Sequence, residues 1–181
     1  RDCQAVSLQR LCKEKEFIAG EAASQECERF DDRIVCMKKV NSFKPVRLAQ
    51  VDIDGGFWAE RLEVNRKATL PIQYEQCKKT GRFDAWKLDW KPGKEPKPHI
   101  FWDSDAGKWL EAVGYSLAKH PDKALEKKGD WLIDLIAKAQ QKDGYLNIFF
   151  TAVEPQNRWK NLRDLHELYC AGHLMEGAVA Y

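Results

Sequence analysis

The sequence predicts a mainly α-helical fold, an incomplete piece of a double-layered α-barrel, and two segments carry that prediction. Residues 122–142 show an amphipathic pattern with lysines on the outer face, whereas residues 164–181 read as a helix with almost no solvated face. Outer and inner helices of a two-layered barrel differ in this way, because only the outer layer meets water. With about four helices present, such a barrel is far from closed.

Bulk properties narrow the classes further. The 181 residues suffice for one domain with a sizeable core. The 30 basic and 28 acidic residues are interspersed and leave a net charge of +2, which favours neither nucleic acid nor an anionic membrane as partner. No apolar run approaches the ~18 residues of a transmembrane helix, and the N-terminus lacks an apolar signal core, so a soluble chain is expected. It begins with Arg1, and its last helix runs uncapped to Tyr181, which suggests a fragment or processed piece. Most of the seven tryptophans are expected in the core, with flat carbohydrate platforms as the alternative use.

Taken in order, residues 1–42 are charged and weakly patterned, and stay unassigned as short helices or poorly ordered chain. Their cysteines form two C-x8-C units, Cys3 with Cys12 and Cys27 with Cys36. A disulfide-stapled hairpin is one reading and free thiols the other, favoured because this spacing sets a pair on opposite faces of a helix or a strand. Residues 43–53 alternate in part and predict a strand or two, closed by Asp54-Gly55-Gly56. Phe57–Lys67 reads as a helix. Thr69 is expected to cap a second one that carries Pro71 in its first turn and ends at Gly81.

Pro92, Gly93, Pro96 and Pro98 mark residues 82–101 as a loop. Ser104 is expected to cap the next helix, with Ala106, Trp109, Leu110, Val113 and Leu117 as its buried stripe. His120-Pro121 breaks it, and Asp122 opens another with the stripe Leu125, Gly129, Leu132, Ile136 and Ala139. Tyr145–Phe150 reads as extended. In the final helix His166, Cys170, His173 and Gly177 share one side, predicted to face a polar concavity, and Leu168, Ala171, Met175 and Val179 line the packed side.

Several motifs then occur in order: Phe101-Trp102-Asp103-Ser104-Asp105-Ala106-Gly107-Lys108-Trp109-Leu110-Glu111-Ala112, Ala139-Gln140-Gln141-Lys142-Asp143-Gly144-Tyr145-Leu146-Asn147, Arg158-Trp159-Lys160-Asn161-Leu162 and His166-Glu167-Leu168-Tyr169-Cys170-Ala171-Gly172-His173. With Gly56-Phe57-Trp58, Arg61 and Asn65-Arg66 upstream, the run from about residue 45 to 181 resembles glycoside hydrolase family 127, the β-L-arabinofuranosidases. The resemblance implies an (α/α)6 barrel followed by β-sandwich domains, with residues 43–181 as a partial barrel domain. It also implies retaining hydrolysis of terminal β-L-arabinofuranosides, so that an arabinofuranose-containing oligosaccharide or glycan is the expected partner. In that family a cysteine thiolate held on zinc by a glutamate and further cysteines is the nucleophile, and a separate glutamate is the acid and base.

The chain departs from that pattern at the chemistry. The family's adjacent Cys-Cys pair is absent from these residues, and Glu75-Gln76-Cys77 has the spelling of its Glu-x-Cys motif but sits in an early helix, where residues two apart diverge. No catalytic residue, metal ligand or cofactor is therefore assigned to this chain, zinc belonging to the full-length family, and the chain by itself is expected to be inactive. The zinc and nucleophile motifs are expected after Tyr181. His166 is the one functional residue the resemblance carries over, as a contact to the bound sugar. A metal face of His166, Cys170 and His173 is rejected because three ligands at i, i+4 and i+7 span about 10 Å. Asp103 and Asp105 are read as stabilising a helix N-terminus, and Glu167 receives no role. The rival reading is a non-catalytic carbohydrate-binding or structural remnant, and an open-sided barrel should self-associate through its exposed apolar side.

Overall fold

The structure, a computed structural model, describes residues 44–181 and two strands, β1 (Cys27–Phe30) and β2 (Arg33–Cys36). The strands pair antiparallel with Cys27 opposite Cys36 and Phe30 opposite Arg33. The face argument against that cysteine pair therefore fails: an odd spacing separates faces only along one continuous strand, whereas a chain that folds back brings the two residues level in the ladder. Cys3, Cys12 and the expectations for the rest of 1–42 lie outside the described residues.

Of the strand expected across 43–53, the described residues 44–53 form none. Their path is irregular, with one 3-10 turn at Leu48–Gln50. Val46, Leu48, Val51 and Ile53 stay exposed, so no apolar face is buried to hold the segment in a ladder. Thr69 is not a cap either. Helix α1 (Gly56–Val64) runs through a π turn at Asn65–Thr69 into α2 (Leu70–Lys79), and Thr69 itself is helical. Pro71 explains the wide turn: it has no N–H, and its ring would crowd a carbonyl one turn back, which an i to i+5 pattern relieves. The Leu70 N–H accordingly donates to the Asn65 carbonyl. Gly81 ends α2 as expected, with φ +80°, where an added Cβ would lie 2.8 Å from Cγ of Pro96.

Residues 82–101 form a loop that contains the 3-10 turn Asp84–Lys87 and sends Phe83 and Trp86 into the core. Helix α3 (Trp102–Lys119) begins two residues before its expected cap. Ser104 is instead inside the first turn, its hydroxyl donating back to the Phe101 carbonyl at 2.8 Å. The stripe of α3 is buried as predicted from Ala106 to Val113, and the Trp109 indole N–H donates to the Leu70 carbonyl at 3.1 Å. Helix α4 (Lys123–Ala139) matches its prediction closely: the Asp122 carboxylate accepts from the N–H groups of Ala124 and Leu125, and all five stripe residues are buried. The first four residues of Tyr145–Phe150 are non-helical, and Phe149 and Phe150 open the short α5 (Phe149–Ala152).

Helix α6 (Glu167–Ala180) lies along α3. Glycine makes the approach close enough. A Cβ on Gly107 would sit 2.6 Å from the His173 carbonyl oxygen, one on Gly177 would sit 2.7 Å from the Gly107 carbonyl oxygen, and one on Gly114 would strike the Ala180 carbonyl. On α4, Gly129 leaves the space taken by the Tyr181 ring, whose hydroxyl donates to the Asp130 carboxylate at 2.9 Å.

This contact reverses the predicted rotation of the last helix. Cys170 and Gly177 face α3 and are buried, while Leu168, Met175 and Val179 are 57 %, 68 % and 77 % exposed. Backbone proximity decided the orientation: the side with small residues admits a neighbouring helix, and the side with large ones does not. Gly107→Ala should therefore lower the midpoint of a thermal unfolding curve followed by circular dichroism. Overpacking of about 1–3 kcal/mol outweighs the roughly 1 kcal/mol that alanine gains in helix propensity.

Candidate functional site

The site is built where the loop before α3, the turn around residue 159 and the start of α6 meet. His166 is not on the α6 wheel. It is the residue preceding the helix, held in the left-handed region at φ 57°. Its ring packs on Phe101 with centroids 4.7 Å apart and meets Tyr169 edge-on at 5.9 Å. His99 stacks on the other neighbour, Phe101, at 5.4 Å, and His173 meets Tyr169 at 4.6 Å. The result is a half-exposed band of imidazoles and aromatic rings, which offers flat apolar area beside hydrogen-bonding nitrogens.

Glu167, which sequence reasoning left without a role, fixes this band in place. Its side chain is buried: one carboxylate oxygen accepts from the Tyr145 hydroxyl and the other accepts from the Trp159 N–H at 2.8 Å. Burial and then the hydrogen bond to Glu167 raise the Tyr145 phenol far above its ordinary value, so the phenol remains a donor. Arg158 lies 3.5 Å over the Tyr145 ring and pairs with Asp143 at 2.8 Å. Trp159 and His166, both at positive φ, flank the segment that this carboxylate ties down. An acidic residue at the start of a helix with no charged face was the only signal in the sequence for this role.

Cys170 faces inward, its thiol donating to the Ile100 carbonyl at 3.1 Å, and burial followed by the nearby Asp103 pushes its pKa up to about 12. Raised in this way, it is held as a thiol that donates to that carbonyl. Cys77 is also raised, first by burial and then by Asp105, and Glu75 pairs with Lys128 at 3.1 Å instead of meeting Cys77. These residues do not fit a zinc-held thiolate. His166, Cys170 and His173 do not converge as one set of ligands. Among the described residues, the three-residue group whose donor atoms do converge is Glu111, His173 and Glu176.

The two aspartates at the start of α3 part company. Asp105 pairs with Arg82 at 2.8 Å, whereas Asp103 is fully buried, one oxygen accepting from the Ile148 N–H at 2.7 Å and the other lacking a partner among the described residues. Burial raises Asp103 to about 7, against the pull of the Ile148 N–H. Because the folded pKa lies above the unfolded value of 3.8, the folded state holds the extra proton between the two. This group's contribution is thus complete below pH ~4 and is lost as pH rises through about 7. Asp103→Asn should gain stability relative to the parent chain over that interval, on the order of 1–4 kcal/mol, measured as the difference between urea unfolding curves at pH 4.5 and 8.

Comparison with known proteins places this geometry. Residues 50–181 match the family described as the β-L-arabinofuranosidase GH127 catalytic domain. A non-reducing end β-L-arabinofuranosidase of Bifidobacterium longum subsp. longum is 44 % identical over 86 residues, which are 45 % of this chain and 13 % of that protein. The crystal structure of a GH127 β-L-arabinofuranosidase from Geobacillus stearothermophilus T6 is 42 % identical, covers 73 % of this chain and superposes with a TM-score of 0.68. A GH127 β-arabinofuranosidase structure is 35 % identical over 75 % of the chain, also with a TM-score of 0.68. The chain spans only 22 % and 23 % of those two structures. Its helices are part of a fold of the (α/α)6-barrel type.

Proposed function

Because the chain belongs to the GH127 catalytic-domain family of glycoside hydrolases, we propose that it forms one wall of a pocket for a terminal β-L-arabinofuranoside, with His166 as the residue that touches the sugar. The observation that carries this reading is the His166 ring, half-exposed between Phe101 and Tyr169 and held at a left-handed corner. A neutral imidazole offers one donor and one acceptor to neighbouring hydroxyls, and the flanking rings offer apolar faces to the sugar's C–H groups. Glu167 acts through position only, pinning the turn that presents His166.

Nucleophile and zinc are no part of this wall. Both described thiols are raised by burial and lack the glutamate-and-cysteine company that the family's metal requires. In this reading residues 43–181 constitute a partial barrel domain, and residues 1–42 stay unassigned. The exposed row Leu168, Met175 and Val179 is the side on which further barrel helices, or a second copy, would close.

Three measurements test the reading. The purified 181-residue chain should release no aryl group from an aryl β-L-arabinofuranoside with or without added zinc. Zinc-dependent turnover that disappears in Cys170→Ser would overturn the assignment. In a full-length arabinofuranosidase that contains this segment, His166→Ala should lower kcat/KM about ten- to a hundredfold with zinc content unchanged, as expected for one or two lost hydrogen bonds to the sugar. Unchanged kinetics with a lower melting temperature would make His166 a packing residue and favour the non-catalytic remnant. In sedimentation velocity, Met175→Glu with Val179→Glu should shift the chain from associated species to monomer.

A further inference from the structure

We propose that Glu111, His173 and Glu176 form a binding site for a first-row divalent cation at the seam between α3 and α6. An imidazole nitrogen of His173 and one carboxylate oxygen from each glutamate all lie within 4.8 Å of one another. His173 and Glu176 stand three residues apart on α6 and so share a face, and Glu111 reaches them from α3. The glycine contacts at Gly107 and Gly177 hold the two helices together one turn from the cluster.

The state of His173 points to a ligand. Its Nδ1 is shielded from solvent and faces a Glu176 oxygen at 2.9 Å, so the imidazole and that carboxylate already point at one another. The Tyr169 ring edge, 4.6 Å away, restrains the imidazole. Among the described residues neither glutamate is paired with lysine or arginine, and Lys108, one turn before Glu111, is engaged with the Tyr169 hydroxyl at 2.7 Å. Two carboxylate side chains and one imidazole supply the oxygen and nitrogen donors that a divalent cation takes.

The donor set identifies the class. One nitrogen and two oxygens suit Mn2+, Fe2+ or Zn2+ better than a soft ion such as Cu+, and three protein ligands leave open positions for water. Bonds of about 2.0–2.2 Å bring ligand atoms to roughly 3–3.5 Å of each other. Rotation of Glu176, whose side chain is 59 % exposed, supplies that closure without moving either helix. The site uses no cysteine, and its His173 is joined to His166 only through the Tyr169 ring.

Mn2+ is the suitable probe, because the six cysteines of the chain compete poorly for a hard ion. Chelator-treated chain titrated with Mn2+, with free ion followed by electron paramagnetic resonance, should bind one ion saturably. His173→Gln and Glu111→Gln should each weaken binding at least about tenfold, or roughly 1.4 kcal/mol, and Cys170→Ser should leave it unchanged. Glu176→Gln, at an exposed position that folding does not need, should weaken it likewise. Absence of saturable binding up to about 1 mM, or equal affinity in Glu176→Gln and the parent chain, would overturn the site. Neither result depends on glycosidase activity, so failure here leaves the sugar-pocket reading intact.

Discussion

Close approach of α3 and α6 is the constraint on which the rest of this structure depends. Gly107 and Gly177 remove the side chains that would hold the two backbones apart, and Gly114 repeats the arrangement toward the end of α6. Once the helices touch there, the rotation of α6 is no longer free. Cys170 must point inward to Ile100, and Leu168, Met175 and Val179 must point away. The same contact brings Glu111 beside His173 and Glu176, a meeting of residues more than sixty positions apart that no local pattern encodes.

A second constraint works through charge rather than shape. Glu167 is a carboxylate buried among aromatic rings, and it is tolerated there because each oxygen receives a donor, one from Tyr145 and one from the Trp159 backbone. Removing either donor would leave a buried charge with an unfilled acceptor, which is costlier than the hydrogen bond itself. Asp103 shows the contrary solution. With only one oxygen satisfied, it is raised toward neutrality instead of being held as an anion. The two acidic residues at these helix starts thus differ in the number of donors that reach them, two for Glu167 and one for Asp103.

The same anchoring shapes the candidate site. Rigid positioning is concentrated in the turn around Trp159 and His166, both held at positive φ. The two described thiols are set for packing, since burial keeps both protonated. The left-handed corner at His166 follows from where Glu167 is anchored. It turns the imidazole out of the helix and toward Phe101, away from the face that helical periodicity assigned to it.

Local rules were enough wherever one face met water. The stripe Leu125, Gly129, Leu132, Ile136 and Ala139, the Asp122 cap, the break at His120-Pro121 and the stop at Gly81 were all legible, because amphipathic period and cap chemistry are properties of the neighbouring sequence. Ordered motifs likewise carried the family resemblance without any structure. What the sequence could not decide were contacts in which both partners are buried. Ser104 and Thr69 have the chemistry of caps, but a neighbouring segment began one helix earlier and a proline widened the turn in the other. Residues 44–53 alternate in part, yet their apolar side chains stay exposed and no strand forms among them. The last helix lacks a charged face, so its periodicity offered two apolar sides of equal standing, and the side that packs was chosen by backbone clearance at glycines on another helix.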